Sequence, residues 1–213
     1  MLHLLTLWLL ALPIGSFEYS NDYTTWHTEH WRQYLSHLVG VDNAQGLEIG
    51  CYEGRSTIWL EQHIFTGKDA HMTCVEVSTK QLELVRRNID AAGLTGEVVA
   101  LYGPSQHVLR GLPINHYDFV YVDGCHLAHC ALADLVNAYL VTKPGGLIMI
   151  DDLSMGRVWR AFAAFVRVFT EPDPDDQHVV LEVLEVRRHR RATDMQPGVS
   201  ILRKVGEPYH DRP

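Results

Sequence analysis

The sequence of 213 residues lacks an excess of positive charge: 18 lysines and arginines stand against 26 aspartates and glutamates, a formal net charge of −8. Proteins that bind nucleic acid in general owe much of their affinity to basic side chains that neutralise phosphates. The charge balance therefore argues against a nucleic-acid partner. Repeats, low-complexity linkers and a second domain are also missing, so we predict a single domain over residues 1–213.

Long apolar runs are missing, with one short exception at the N-terminus. Residues 2–12 are nearly all apolar and are followed by Pro13 and Gly15. The run is too short to span a bilayer as a helix, and it lacks the basic start and the cleavage site of a secretory signal. We favour a helix packed on the domain or at the contact of a homo-oligomer. A secretory or membrane-associated role of residues 2–15 is the alternative.

Cysteine is scarce, with residues only at positions 51, 74, 125 and 130. Two of the four fall in predicted strands or at strand ends, and their spacing offers no short-loop pairing framework. We therefore expect free thiols in a reducing compartment and a cytoplasmic protein. Cys125 and Cys130 flank two histidines, but residues so close in the chain do not easily converge on one tetrahedral ion.

What the sequence does contain is a glycine turn at residues 47–57, Leu-Glu-Ile-Gly-Cys-Tyr-Glu-Gly-Arg-Ser-Thr. An apolar run breaks at Gly50 and a helical pattern starts after Gly54, which predicts a strand, a tight turn and a helix. Glu48 places a carboxylate where it would repel a pyrophosphate but accept a ribose or a cationic amino-acid headgroup. The spacing is not the Gly-x-Gly-x-x-Gly of nicotinamide sites. An ordinary turn without a ligand is the alternative.

The rest of the chain alternates helical patterns with apolar strands. Such strands, separated by helices, indicate a parallel sheet buried on both faces. We predict helices at residues 26–39, 78–92, 128–141 and 157–169, and strands at 71–77, 97–101, 117–122 and 147–150, with a turn at 143–146. Ser78, with Gln81 three residues on, and Gly93 are the expected caps of the second of these helices. Residues 179–186 and 199–202 form two last strands joined by a hairpin, unlike a dehydrogenase.

Polar residues stand at the carboxyl end of each parallel strand, which is where open α/β sheets bind ligands. Glu76 ends the second strand, where an acid commonly binds ribose hydroxyls. Asp123 ends the fourth strand, and Asp151 and Asp152 end the fifth. Three carboxylates brought together would repel one another, and a hard divalent cation, Mg²⁺ best, would relieve the repulsion.

His126 follows Asp123 by three residues and starts the next helix close to that site. Its ordinary pKa of about 6.5 suits a general base at neutral pH. A surface histidine at the start of a helix is the alternative.

Six motifs follow one another along the chain: the glycine turn, Glu76, Gly-Pro-Ser-Gln, Tyr-Asp-Phe-Val-Tyr-Val-Asp, Lys-Pro-Gly-Gly and Asp-Asp. In this order they resemble the motifs of the Mg²⁺-dependent O-methyltransferases. These belong to the class I methyltransferases, which use S-adenosylmethionine (SAM), and the catechol and macrocin types are the nearest. The resemblance implies that SAM contacts Glu48, Gly50, Tyr52, Gly54, Ser56, Glu76, Ser105, Gln106 and Asp123. It implies that Asp123, Asp151 and Asp152 hold Mg²⁺ or another divalent cation. At His126 the macrocin type also has histidine, whereas the catechol type has lysine.

The resemblance implies an α/β, Rossmann-like sheet of seven strands in the order 3-2-1-4-5-7-6, with the last strand antiparallel and helices on both faces. Residues 46–205 would form the SAM-binding core, and residues 1–45 a helical extension that covers the substrate. The expected reaction is methyl transfer to a hydroxyl of a small molecule, with His126 as general base. Three alternatives stay open: a metal-independent methyltransferase, a non-catalytic SAM-binding protein and a nicotinamide-dependent oxidoreductase.

Overall fold

Seven strands form one sheet in the order β3-β2-β1-β4-β5-β7-β6, in a computed structural model that describes residues 16–171, 180–187 and 198–206. The strands are β1 Gln45–Ile49, β2 His71–Glu76, β3 Val98–Tyr102, β4 Tyr117–Val122, β5 Thr142–Ile150, β6 Leu181–Arg187 and β7 Val199–Lys204. The helices are α1 Thr28–Leu35, α2 Arg55–His63, α3 Thr79–Ala92, α4 Ser105–Val108, α5 Ala128–Val141 and α6 Gly156–Thr170.

The strand directions are those of the predicted fold. β1 lies between β2 and β4 and is parallel to both, while β3 and β5 extend the parallel sheet. β7 runs antiparallel to both β5 and β6. The predicted strand order and the reversed last strand are therefore confirmed, and the carboxyl ends of β1 to β5 lie along one edge.

The helices cover both faces of the sheet, as predicted. One buried cluster joins α1, α2 and α3 to side chains such as Met72, Phe119 and Met149. A second cluster joins α5 and α6 to the opposite face, with side chains such as Val120 and Ile148. Neighbouring residues of one strand thus belong to opposite clusters, because successive side chains of a strand point to opposite faces. This double burial explains why the strands read as continuous apolar runs.

Local signals set the bounds of α3. The Ser78 side chain accepts a hydrogen bond from the Gln81 backbone N–H at 3.4 Å. Gly93 ends the helix with a φ of 71° in the left-handed region, which a residue without a Cβ adopts readily. Both caps were predicted from the sequence.

Two predicted element bounds were wrong. The helix predicted at residues 26–39 is limited to α1 and a 3₁₀ turn at Ser36–Leu38. The turn predicted at residues 143–146 lies within β5, where it forms an irregularity: Tyr117 pairs with Thr142, whereas Phe119 pairs with Leu147. The N-terminal apolar run and the tip of the last hairpin lie outside the described residues.

The expectation of four free thiols was wrong for one pair. Cys51 lies two residues after the end of β1, and Cys74 lies in the neighbouring strand β2. The two form a disulfide with their Cα atoms 5.9 Å apart. The pairing depends on strand adjacency, which sequence spacing alone does not reveal. Cys125 and Cys130 are free. In the described part of the chain, none of the helices has the length and apolarity needed to cross a membrane.

Candidate active site

The carboxyl edge of the sheet opens into one cavity of about 980 Å³. Nine of the residues predicted for the site line it: Gly50, Tyr52, Glu76, Ser105, Gln106, Asp123, His126, Asp151 and Asp152. The strand-end rule thus brings together side chains from five segments of the chain. The cavity lies at the upper end of the size range common for small-molecule sites.

Gly50 lets two strand ends approach each other. Its φ is +90°, and a Cβ at this position would lie 2.4 Å from the backbone oxygen of Asp123. A side chain here would push the end of β1 away from the end of β4. Gly50 is therefore needed for the backbone that shapes the cavity.

Three of the predicted cofactor residues, Glu48, Gly54 and Ser56, build the turn beside the cavity. Glu48 is fully buried, and its carboxylate accepts hydrogen bonds from the hydroxyls of Ser56 and Thr57. Burial raises the pKa of Glu48 to about 7, and the two hydroxyls offset part of that rise. In this structure Glu48 thus ties β1 to the first turn of α2. Ser56 also lines a small neighbouring cavity of about 50 Å³.

Glu76 is held at the end of β2 by two backbone donors. The Tyr52 N–H donates to its Oε2 at 3.0 Å, and the Ser78 N–H donates to its Oε1 at 2.7 Å. Each carboxylate oxygen has a second lone pair. Glu76 can therefore accept two further hydrogen bonds from a diol in the cavity without losing its support.

Asp123, His126 and Asp152 lie close enough together for one metal ion to reach a ligand atom of each. One ligand atom from each lies within 4.8 Å of the others, and the His126 Nε2 is 2.7 Å from the Asp152 Oδ2. The hydrogen bond with Asp152 raises the pKa of His126. Burial, together with the charges of Asp151 and Asp152, raises the pKa of Asp123 well above its usual value. Two carboxylates and an imidazole are donors that suit a divalent cation.

Asp151 is placed differently from the other two acids. Its Oδ2 lies 2.9 Å from the Nε2 of His27 and accepts a hydrogen bond from the Tyr121 hydroxyl at 2.7 Å. Its Oδ1 accepts from the Asp152 N–H at 2.7 Å. Burial alone would raise the pKa of Asp151, but the contacts with His27 and Tyr121 lower it. Both of its oxygens are thus engaged by protein donors.

Sequence reasoning missed His27, which is 2% exposed. It precedes α1 in a segment expected only to cover the substrate, and no local pattern links it to the end of β5. Sequence reasoning also missed Asp134 of α5, which accepts a hydrogen bond from the Ser105 hydroxyl at 2.6 Å. Its position midway along an apolar helix was the available signal.

The segment at residues 16–27, called here the N-terminal strap, lies against the glycine turn. The Ser20 N–H donates to Glu53 at 2.6 Å, and Asp22 pairs with Arg55 at 2.9 Å. Tyr23 and Trp26 of the strap line the large cavity. The strap therefore contributes aromatic surface to the site from outside the sheet.

The class I SAM-dependent methyltransferase fold is defined by three features of this structure. They are the strand order with a reversed β7, the glycine turn after β1 and the acid at the end of β2. Residues 47–153 match the methyltransferase domain family, and the chain belongs to that family.

Two curated relatives are catechol O-methyltransferases. The chain is 29% identical to the catechol O-methyltransferase of Mycobacterium tuberculosis over 125 residues, which cover 58% of this chain and 55% of the relative. It is 27% identical to the catechol O-methyltransferase of Niastella koreensis over 124 residues, 57% of this chain and 53% of the relative. The chain thus matches about half the length of these curated relatives.

A solved structure shares the fold. The O-methyltransferase of Bacillus cereus in complex with SAH has a TM-score of 0.62 and 18% identity, over 90% of this chain and 84% of that protein. At this identity the similarity concerns the fold alone.

Proposed function

We propose that the chain is a SAM-dependent O-methyltransferase that acts on a hydroxyl of a small molecule. One observation carries the proposal: Glu76 and the cluster of Asp123, His126 and Asp152 open into the same cavity. SAM supplies a methyl group on a sulfonium, and in-line transfer requires the acceptor oxygen to be held close to it. The catechol O-methyltransferase relatives support transfer to oxygen.

The cofactor would occupy the side of the cavity over β1 to β3. Glu76 would accept hydrogen bonds from the ribose hydroxyls, because its carboxylate is already oriented by Tyr52 and Ser78. Ser105 and Gln106, after β3, would meet the adenine end. Glu48, Gly54 and Ser56 would act by shaping the turn; direct contact of these three with SAM stays a prediction.

The acceptor would occupy the side over β4 and β5, below Tyr23 and Trp26 of the strap. His126 would be the general base, oriented by its contact with Asp152 as the base of a catalytic triad is oriented by its acid. Its Nε2 faces Asp152, so Nδ1 is the nitrogen that would take the proton from the hydroxyl.

A divalent cation fits the donors at this end of the site. Asp123 and Asp152 would hold it, with the imidazole of His126 within reach, and Mg²⁺ remains the predicted ion. When bound, such a cation lowers the pKa of an acceptor hydroxyl. Asp151 would help by fixing the Asp152 backbone. Its predicted place among the metal ligands would use the second lone pair of Oδ1, because Oδ2 is already engaged by His27 and Tyr121.

A metal-independent enzyme is the second candidate. The His126–Asp152 contact favours it, because the imidazole and the carboxylate already partner each other without a cation.

Formation of S-adenosylhomocysteine (SAH) from SAM, measured with a panel of catechols and simple phenols, tests both candidates. Activity with Mg²⁺ that is lost in EDTA supports the metal-assisted reaction, and equal activity in EDTA supports the second candidate. Binding of SAM without turnover of any acceptor would leave a non-catalytic SAM-binding protein.

The compartment and the assembly remain proposals. Disulfides persist mainly in oxidising compartments, so the Cys51–Cys74 pair favours the secretory alternative over the cytoplasmic prediction. Fractionation of cells that express the full chain, with thiol labelling of the recovered protein, distinguishes the two. A homo-oligomer through residues 2–12 is tested by the mass of the full chain in solution.

A further inference from the structure

Asp134 is a buried carboxylate that the reaction described above does not use. It lies in α5 and is 0% exposed. Burial raises its pKa, and the Ser105 hydroxyl and the Cys125 backbone N–H offset part of that rise. An acid in the interior is costly unless its oxygens are well partnered. Its position therefore calls for an explanation in terms of what the carboxylate holds.

The carboxylate lies between the loop that follows β3 and the loop that follows β4. Its Oδ1 accepts from the Ser105 hydroxyl at 2.6 Å, and the Gln106 side-chain amide lies 3.5 Å away. Its Oδ2 makes no hydrogen bond of ordinary geometry within the described residues. That oxygen faces the turn after β4, where a Cβ on Gly124 would lie 3.5 Å from it.

Both loops line the large cavity, whereas Asp134 lies behind them. Ser105 and Gln106 form the wall after β3, and Gly124 and Cys125 form the wall after β4. α4, which Ser105 begins, has only four residues, and so short a helix depends on contacts outside itself for its position. The buried carboxylate is one contact that ties the start of α4 to α5.

We propose that Asp134 is a positioning residue for the cofactor: through Ser105 it holds the wall after β3 in the shape that accepts the adenine end of SAM. The inference rests on the proposed cofactor site. A preformed wall strengthens binding by reducing the ordering that binding requires. Asp134 should therefore affect the affinity for SAM and its product SAH (S-adenosylhomocysteine) more than the rate of methyl transfer.

The test compares Asp134→Ala, Asp134→Asn, Ser105→Ala and the double variant Asp134→Ala/Ser105→Ala. SAH affinity is measured by calorimetry, and kcat and KM for SAM by steady-state kinetics. Asp134→Ala should weaken SAH binding and raise the KM for SAM about tenfold, the effect of losing a buried hydrogen bond. The kcat at saturating SAM should stay within about twofold of wild type, since the acceptor side is untouched. Asp134→Asn keeps an oxygen for Ser105 and should restore most of the affinity.

The double variant and a control make the test specific. The double variant should bind SAH about as Ser105→Ala does, because Asp134 acts through the Ser105 hydroxyl and adds nothing once that hydroxyl is gone. Asn137→Ala is the control: Asn137 lies on the same helix and donates to the Ala133 carbonyl, so SAH affinity should stay at the wild-type value.

Wild-type SAH affinity in Asp134→Ala, or a loss of kcat at unchanged KM, would overturn the inference. If Asp134→Ala does not fold, Ser105→Ala decides, because the inference acts through that hydroxyl: wild-type SAH affinity in Ser105→Ala would overturn it. Failure of the wild-type protein to bind SAH would instead refute the proposed function.

Discussion

The sheet edge and the N-terminal strap both build the cavity, but they do so in different ways. At the edge, Glu76, Asp123 and Asp152 are placed by the strands at whose carboxyl ends they lie. The region of the strap and α1 is placed by contacts with distant parts of the chain: His27 meets Asp151, and the Trp31 indole N–H donates to the sulfur of Met149 at 3.1 Å. Backbone topology fixes the first region, and side-chain packing fixes the second.

The difference implies that changes at the edge should affect chemistry or binding, whereas changes in the strap should affect stability first. The largest effect is expected at the acceptor end of the edge. His126→Ala should lower kcat by about 10²–10⁴-fold, the usual contribution of a general base, and leave SAH affinity unchanged. His129→Ala, exposed in the first turn of α5, is the matched control and should have wild-type kcat. Equal activity of the two variants would remove His126 from the reaction.

His27→Ala tests the strap side of the comparison. It leaves the buried Asp151 with Tyr121 but without the histidine, and loss of one partner of a buried pair should lower the free energy of unfolding by about 3 kcal/mol. Urea denaturation measures the loss. His37→Ala, exposed in the 3₁₀ turn after α1, should unfold at the wild-type midpoint. A His27→Ala midpoint equal to that of His37→Ala would show that the contact with Asp151 does not hold the strap.

Glu76→Ala tests the cofactor end of the edge. It should weaken SAM binding by about 1–3 kcal/mol, because the ribose loses charge-assisted hydrogen bonds. Glu83→Ala, exposed on α3, should bind SAM as wild type does in the same calorimetric titration. If Glu76→Ala keeps full SAM affinity, the ribose does not lie at the end of β2.

The same contrast explains how much the sequence could predict. Both caps of α3 followed from local patterns, and the acids at the sheet edge followed from the rule that parallel strands bring their ends to one edge. The strand order and cavity residues such as Tyr52 and Gln106 followed from the resemblance to the methyltransferases. The partner of Asp151 did not follow, since the contact of His27 depends on how α1 packs across the sheet. Cys51 and Cys74 were missed for a related reason: their pairing depends on which residues of β1 and β2 lie side by side.

The smallest expected effect concerns Glu48, whose folded-state pKa of about 7 lies above its usual 4.5. A carboxyl with a raised folded-state pKa adds stability that is fully present below pH 4.5 and lost as the pH rises through 7. The wild-type Tm should therefore fall more steeply between pH 5 and 8 than the Tm of Glu48→Gln. Glu61, whose pKa burial raises to about 8, leaves some slope in both proteins. Parallel curves would mean that Glu48 is charged in the folded state.

The central claim is that the cavity at the sheet edge binds SAM, and calorimetric titration of the full chain tests it most directly. SAH and NAD are titrated separately into the wild-type protein, each with Mg²⁺ and with EDTA. We predict saturable binding of SAH under both conditions, because the cofactor end is separate from the acidic cluster, and no binding of NAD. Binding of NAD without binding of SAH would contradict the account.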